Sequence, residues 1–283
     1  MIRLAIQSKG RLNEDSVDLL SQSGIEVEQS RRRLLSHSTD FPLEVLYLRD
    51  DDIPSAVAHG AADIGIVGLN EVEEKMMKVV IAHRLGFGAC RLSLAIPKGE
   101  NYSSLDYFNG RRVATSYPVI LNRYFENKGI TADIHEISGS VEIAPTVGLA
   151  DAIFDIVSSG STLISNGLKE VEVVLHSEAV LIASPDLASD KRALLDQLIF
   201  RFQAVERSVG KKYLLMNLPS HRVAAATALI PGVKSPTVLP LAQEGWSSVH
   251  VVVDQKELWT KIEALKAIGA EDILVLSLEK MIL

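Results

Sequence analysis

Short apolar runs alternate with longer amphipathic stretches along most of the chain, a rhythm that predicts strands and helices in turn. Ile2–Ile6 reads as a strand that breaks at Ser8, Lys9 and Gly10, and Asn13 offers an N-cap to a helical face of Val17, Leu19, Leu20 and Ile25. Leu43–Leu48 and Ile64–Val67 are further strands. Between them Ile53–His59 is a helix whose Pro54 sits in the first turn, where a missing N–H is tolerated. After Arg91 the run LSLAIP predicts a strand, and RRVATSYP another that ends in small hydroxyl residues. Ile120–Lys128 is a helix closed by Gly129, Ile134–Ile137 a strand, Ala144–Leu149 a short helix, and Ala152–Val157 a strand running into SSGST. Val171–Ala183 carries one or two strands and Asp190–Val209 a long helix. Such alternation indicates a mixed or parallel α/β sheet with ligand sites at the C-terminal ends of its strands.

The pattern changes over residues 211–283. Strands at Tyr213–Asn217, Thr237–Leu241, Val249–Val253 and Ile273–Leu278 and helices at His221–Leu229 and Lys256–Ile268 fall in the order β-α-β-β-α-β, the ferredoxin-like arrangement. Trp246 and Trp259 both lie here and are expected to pack. Earlier in the chain, Asp63-Ile64 followed by Gly68 and Asp155-Ile156 followed by Gly160 share the pattern D-I-x-x-x-G. The echo is either chance or the trace of two similar lobes facing each other across a cleft.

Composition narrows the class. With 47% hydrophobic and 23% charged residues over 283 positions, the chain can bury a sizeable core and has room for about two domains. The 36 acidic and 29 basic residues leave a net charge of −7, which argues against a nucleic-acid or membrane-surface binder. A small phosphorylated ligand stays open, because it needs only a few local cations and amides. A single cysteine, Cys90, excludes an internal disulfide and a Cys-rich metal site. The seven histidines show no metal-ligand spacing. No apolar run reaches the ~18 residues of a membrane span, and the expected setting is the cytoplasm.

The strongest chemical signal is Asp155-Ile-Val-Ser-Ser-Gly-Ser-Thr162. A buried strand ends in small and hydroxyl residues. Glycine lets the backbone approach a ligand, amides at a following helix start point toward an anion, and Ser158, Ser159, Ser161 and Thr162 add donors. Asp155 suits a ribose hydroxyl or Mg²⁺. The same composition also describes an ordinary turn. Lys9-Gly10-Arg11 is a second strand-end segment, either an anion contact or a solvated basic turn. Arg31-Arg32-Arg33 is a solvated face or a clamp that could fork onto a diphosphate. Arg49 precedes three aspartates, Asp50–Asp52, at least one of which is expected to cap the helix near Pro54. No G-x-S-x-G elbow or P-loop is present, and Cys90 reads as a small buried residue.

The block Glu136–Leu168, EISGSVEIAPTVGLADAIFDIVSSGSTLISNGL, resembles the signature region of the ATP phosphoribosyltransferases. KGRL at Lys9–Leu12, RDDDIP at Arg49–Pro54, ADIGIVG at Ala62–Gly68 and ATSYP at Ala114–Pro118 are similar to further motifs of that family. IPGVKSPTVLPLA at Ile230–Ala242 is similar to the C-terminal regulatory domain of its long form.

The resemblance implies a two-lobed, periplasmic-binding-protein-like catalytic part with a ferredoxin-like regulatory domain. Lobe I would comprise residues 1–91 and 176–210, lobe II residues 92–175, and the regulatory domain residues 211–283. It implies transfer of the phosphoribosyl group of phosphoribosyl pyrophosphate to N1 of ATP, with Mg²⁺ bridging pyrophosphate oxygens. Asp155 would hold the ribose hydroxyls, and Ser159, Gly160, Ser161 and Thr162 the 5′-phosphate, with Ser158 in the same loop. Arg11 and one of Arg32 or Arg33 would stabilise the departing pyrophosphate, and Lys9 and Arg49 would position polyphosphate. Histidine would act as a feedback inhibitor around Thr237, Leu239 and Ala270 in a dimer or hexamer. A two-lobed small-molecule sensor without catalysis is the alternative expectation.

Overall fold

The computed structural model describes residues 1–28 and 34–283. Its contacts divide the chain into two units, Met1–Leu198 and Ile199–Leu283. No helix among the described residues is long and apolar enough to cross a membrane.

Strands of the first unit are β1 (Ile2–Gln7), β2 (Leu35–His37), β3 (Leu43–Leu48), β4 (Ile64–Gly68), β5 (Val80–Arg84) and β6 (Cys90–Pro97). They continue with β7 (Arg112–Thr115), β8 (Asp133–Glu136), β9 (Ala152–Val157), β10 (Leu168–Ser177) and β11 (Ala179–Ala183). The helices are α1 (Arg11–Gln22), α2 (Ile53–Ala58), α3 (Leu69–Lys75), α4 (Pro118–Lys128) and α5 (Ser161–Ser165), and α6 (Ser189–Glu206) runs through the division between the units.

The strands form two mixed sheets, ordered β2-β3-β1-β4-β11-β5 and β10-β6-β9-β7-β8. In each, a central strand (β1 or β7) lies parallel to two neighbours, β3 and β4 or β8 and β9. An antiparallel strand, β11 or β6, then flanks β4 or β9. The chain passes from the first sheet to the second between Arg84 and Cys90 and returns between Ser177 and Ala179. At these crossings Cys90 and Ser177 are register partners in β6 and β10. One lobe buries Ala5, Ile53, Val57, Val67 and Ile182; the other buries Leu92, Phe108, Leu121, Phe125 and Phe154.

The lobes do repeat, but not in the D-I-x-x-x-G register. Ile64, the first residue of β4, pairs with Leu4, whereas Asp155 lies late in β9 and pairs across to Ser93. The equivalent segments are Gly60-Ala-Ala-Asp63 and Gly148-Leu-Ala-Asp151, ahead of β4 and β9. Both glycines have φ of 76°. Asp63 Oδ2 accepts from the Arg3 amide at 2.8 Å, and Asp151 Oδ2 from the Arg112 amide at 3.0 Å. The repeat is carried by a turn and its side-chain bond, features a short identity match does not see.

Three local expectations change. Helix α1 starts at Arg11 behind Gly10, whose φ of 92° and ψ of −179° only glycine adopts readily, while Asn13 donates its amide to the Gln7 carbonyl at 2.6 Å. None of Asp50–Asp52 makes a side-chain cap to α2. The stretch 144–149 is turns following a 3₁₀ segment at Val141–Ile143, because the run is short and Gly148, with φ of 76°, ends it. The segment Leu69–Lys75 is helical and Val80–Arg84 extended, neither of which the apolar pattern announced.

The second unit carries β12 (Lys211–Pro219), α7 (Val223–Leu229), β13 (Thr237–Pro240), β14 (Trp246–Asp254), α8 (Leu258–Ala267) and β15 (Glu271–Ser277). The antiparallel order β13-β14-β12-β15 is the ferredoxin-like one. Leu214, Met216, Leu218, Val249 and Val251 pack with Leu258 and Leu265 of α8 on one face. Alternation puts Tyr213, Leu215, His250, Leu274 and Leu276 on the other face, where Leu274 and Leu276 stay exposed. Trp259 does not pack; it is 76% exposed on α8.

Candidate active site

The repeated lobes aim equivalent strand ends at one place. The C-terminal ends of β1 and β4 meet that of β9 around a cleft of about 670 Å³, whose wall includes Arg11, Asp50, Asn70, Glu71, Cys90 and Ser158. A smaller hollow of about 330 Å³ is lined by Gln7, Ser8, Lys9, Arg49 and Asp50. Gln7 and Asp50 belong to both, so the hollow lined by Lys9 and Arg49 adjoins the cleft lined by Arg11 and Ser158. Arg11 and Arg49 are exposed, Arg11 with Asp15 at 3.9 Å and Arg49 with Asp51 at 3.3 Å.

Ser158 leads into the loop that precedes α5. Gly160, at φ 82°, turns the chain into that helix, and the hydroxyls of Ser159 and Ser161 lie 2.9 Å apart. Ser159, Ser161 and Thr162 are exposed. Hydroxyls and first-turn amides that have no partner within a helix make a set of donors suited to an oxyanion. Asp155 sits just ahead, in β9. Burial pushes its carboxyl up to about 6, with the Glu142 charge adding to the effect and the Ile156 N–H, bonded to Oδ1 at 2.7 Å, opposing it. Any ligand that donates hydrogen bonds to the carboxylate, or brings a cation to it, reverses that penalty.

The opposite wall holds functional candidates that no sequence motif marks. Asn70 and Glu71 open α3 directly after β4, and both are buried. The Tyr117 hydroxyl donates to Glu71 Oε1 at 3.0 Å, and Asn70 Nδ2 donates to the same oxygen at 3.0 Å. Ser177 Oγ donates to Asn70 Oδ1 at 2.8 Å. Desolvation raises the Glu71 carboxyl to about 7, against the lowering effect of Tyr117. Glu74, also on α3, accepts from the Val119 and Ile120 amides at 2.9 Å each and so closes the start of α4 in the other lobe. Their position at the end of a buried strand was the available signal. Burial raises the Cys90 thiol, which makes it a poor nucleophile.

Arg32 and Arg33 lie outside the described residues. Thr237 and Leu239 are on exposed β13, and Ala270 lies just before β15, at the opposite edge of the sheet. Leu239, Ser248, Asn217 and Glu271 form one row across it. Three strand spacings separate the ends of that row, ~14 Å, so one chain does not bring these residues together. No group of three or more His, Cys, Asp or Glu able to hold a metal occurs among the described residues.

Residues 49–204 match the family described as ATP phosphoribosyltransferase, and residues 209–280 match the HisG C-terminal domain. The chain is 57% identical to an ATP phosphoribosyltransferase of Phocaeicola vulgatus over 283 residues, all of both chains. It is 55% identical over 282 residues to one from Cytophaga hutchinsonii, covering 100% of this chain and 99% of the other. Among solved structures, a chain of the ATP phosphoribosyl transferase (HisG:HisZ) complex from Thermotoga maritima superposes with TM-score 0.62 at 31% identity, over 71% of this chain and 98% of that one. The histidine kinase sensor domain with similarity to periplasmic binding proteins, at 10% identity and TM-score 0.51 over 74% of this chain and 91% of that chain, shares the two-lobed fold.

Proposed function

The chain belongs to the ATP phosphoribosyltransferase family in its long form, and from that membership we propose how its residues divide the work. The enzyme catalyses the first step of histidine biosynthesis: the phosphoribosyl group of phosphoribosyl pyrophosphate passes to N1 of ATP, and pyrophosphate leaves. The loop after β9 takes the ribosyl end of the donor. Asp155 accepts hydrogen bonds from the ribose hydroxyls, and Ser158, Ser159, Gly160, Ser161 and Thr162 surround the 5′-phosphate. Lys9, Arg11 and Arg49, exposed at the shared rim, face the polyphosphates, and one of Arg32 or Arg33 joins them.

Displacement at the anomeric carbon passes through an oxocarbenium-like state with negative charge growing on pyrophosphate. Positioning and charge stabilisation therefore carry the rate, and no nucleophile–base pair is required. The single observation behind this reading is the gathering of Lys9, Arg11, Arg49 and Ser158 round the hollows that share Gln7 and Asp50.

The donor set fits a Mg²⁺ that arrives on its phosphates. Asp155 and Asp50 are separate acids beside the cleft, and a hard cation with few protein carboxylates completes its shell with phosphate and water oxygens. When bound, magnesium would neutralise part of the pyrophosphate charge.

Residues 1–91 with 176–210 and residues 92–175 form the two catalytic lobes, and residues 211–283 form the regulatory domain. The domain match implies histidine feedback. Leu239 lies ~14 Å from the strand position next to Ala270 within one chain, and Thr237, two residues further along β13, lies farther still, more than one histidine spans. The effector site is therefore completed by a second copy, joined through the open sheet face that exposes Leu274 and Leu276. That face supports a homo-oligomer, dimer or hexamer, and the setting is cytoplasmic.

Purified protein incubated with ATP, phosphoribosyl pyrophosphate, Mg²⁺ and pyrophosphatase should form phosphoribosyl-ATP, and added histidine should slow it. Histidine-independent turnover would remove the regulatory assignment. Turnover undiminished when Arg11 and Lys9 are both replaced by alanine would remove the cleft assignment.

A further inference from the structure

Arg91, the second residue of β6, does not line the cleft, yet it holds the residue where the phosphate loop begins. Its Nε and Nη2 donate to the two carboxylate oxygens of Glu170 at 2.5 and 2.6 Å, a forked pair between β6 and β10. Ser93 Oγ donates to the same carboxylate at 2.7 Å. Alternation along β6 places Arg91 and Ser93 on one face, where they stand opposite Val157 and Asp155 of β9. The remaining guanidinium nitrogen, Nη1, donates to the main-chain carbonyl of Ser158 at 3.1 Å. All three nitrogens are thus engaged, and Glu170 cancels the charge. Glu170 is held below the usual carboxylate range by Arg91 first and by Ser93 as well, so it stays ionised. A guanidinium in that state is a clamp and not an anion receptor.

The loop has a second anchor at its far end. Leu163 is buried with Ala95, Ile153, Val157 and Leu168. Between the Ser158 carbonyl and Leu163 lie Ser159, Gly160, Ser161 and Thr162, whose hydroxyls are exposed and whose glycine is at positive φ. An anion cradle needs N–H groups turned in and carbonyls turned away. A freed Ser158 carbonyl could rotate and present a partial negative charge to the phosphate.

We infer that Arg91, gripped by Glu170, is a positioning residue that sets the 158–162 loop for phosphoribosyl pyrophosphate. The inference rests on the reading above that this loop holds the 5′-phosphate. Arg91 touches no substrate; its effect passes through the Ser158 carbonyl. A displacement of about 1 Å in a loop that orients substrate is enough to cost up to ~100-fold.

The test compares Arg91→Lys, Glu170→Gln and their double variant with Thr162→Ala, all in the full chain. Lysine keeps the charge but loses the planar fork that lets Nε and Nη2 hold Glu170 while Nη1 holds the Ser158 carbonyl. Glutamine keeps the shape but sets an amide NH₂ against the guanidinium. Arg91→Lys and Glu170→Gln should each raise KM for phosphoribosyl pyrophosphate about tenfold, the scale of one displaced charged-group hydrogen bond, and leave KM for ATP within about twofold. The double variant should be no worse than either single one, because the pair acts as a unit. Unchanged KM for phosphoribosyl pyrophosphate in both variants, with Thr162→Ala impaired, overturns the clamp and leaves the loop assignment standing. An unaffected Thr162→Ala overturns the loop assignment and the clamp with it. Equal rises in both KM values, accompanied by a lower melting temperature, mean a general loss of structure and also overturn it.

Discussion

Two carboxyl groups, Glu71 on the cleft wall and Asp155 in the strand beside it, have been moved toward neutrality by the same cause, and they lead to opposite expectations. Asp155 titrates at about 6 and is proposed to work as an ionised acceptor. The value of kcat/KM for phosphoribosyl pyrophosphate should therefore fall as pH drops through 6, approaching tenfold per unit. Asp155→Asn should lower the plateau and flatten that limb. Glu71 is raised from 4.5 to about 7, so the folded state holds more protons than the unfolded one between those limits. Stability from this group is complete below 4.5, declines as pH rises toward 7 and is level above it. Glu71→Gln keeps an oxygen for Tyr117 and Asn70 but does not ionise. Urea titrations should show it gaining on the parent protein between pH 5 and pH 8, by up to about 3 kcal/mol. For the loop itself, Thr162→Ala should weaken phosphoribosyl pyrophosphate binding by ~1–3 kcal/mol in calorimetry.

At the scale of elements, α3 ties the lobes together. Glu74 satisfies two amides at the start of α4 that no intrahelical acceptor can reach, and Pro118 removes a further donor there. Glu74→Ala should destabilise the protein by about 1–2 kcal/mol in denaturant unfolding. Yet α3 itself was not legible in the sequence. LNEVEEK spans two turns, with Asn70, Glu71 and Glu74 buried as polar groups, so its hydrophobic pattern is inverted relative to an ordinary surface helix. Helix α4 was legible because apolar spacing ran up to Gly129, which takes φ of 71° at its end. The D-I-x-x-x-G echo failed for a related reason. Strand register is set by backbone pairing and by the Asp63 and Asp151 bonds to neighbouring amides, and identity between two short strings carries neither.

For the whole molecule, the ferredoxin-like sheet has a covered face and an open one. The open face exposes Leu274 and Leu276 together with Leu239, an apolar area that a second copy is proposed to cover. Changing Leu274 and Leu276 together to aspartate should shift sedimentation toward smaller species and reduce histidine inhibition. An unchanged assembly with intact inhibition would send the search for the interface elsewhere.

Most strands and helices, the α/β class, the ferredoxin-like module and the SSGST loop were written in the sequence, whereas α3 and β5 were not, and the two lobes were implied by the family resemblance. Apolar period, helix-ending glycines and small-residue runs are local properties, readable within a few residues. What tertiary structure decided was which groups meet. Arg91 lies 79 positions from Glu170 and 67 from Ser158, and Tyr117 lies 46 from Glu71. No local period links such positions; strand pairing and the two crossings between sheets bring them together. The pKa of an acid likewise follows from how much water the finished fold removes from it. The chain alone identified the loop that is proposed to hold the phosphate, and the folded molecule identified what holds the loop.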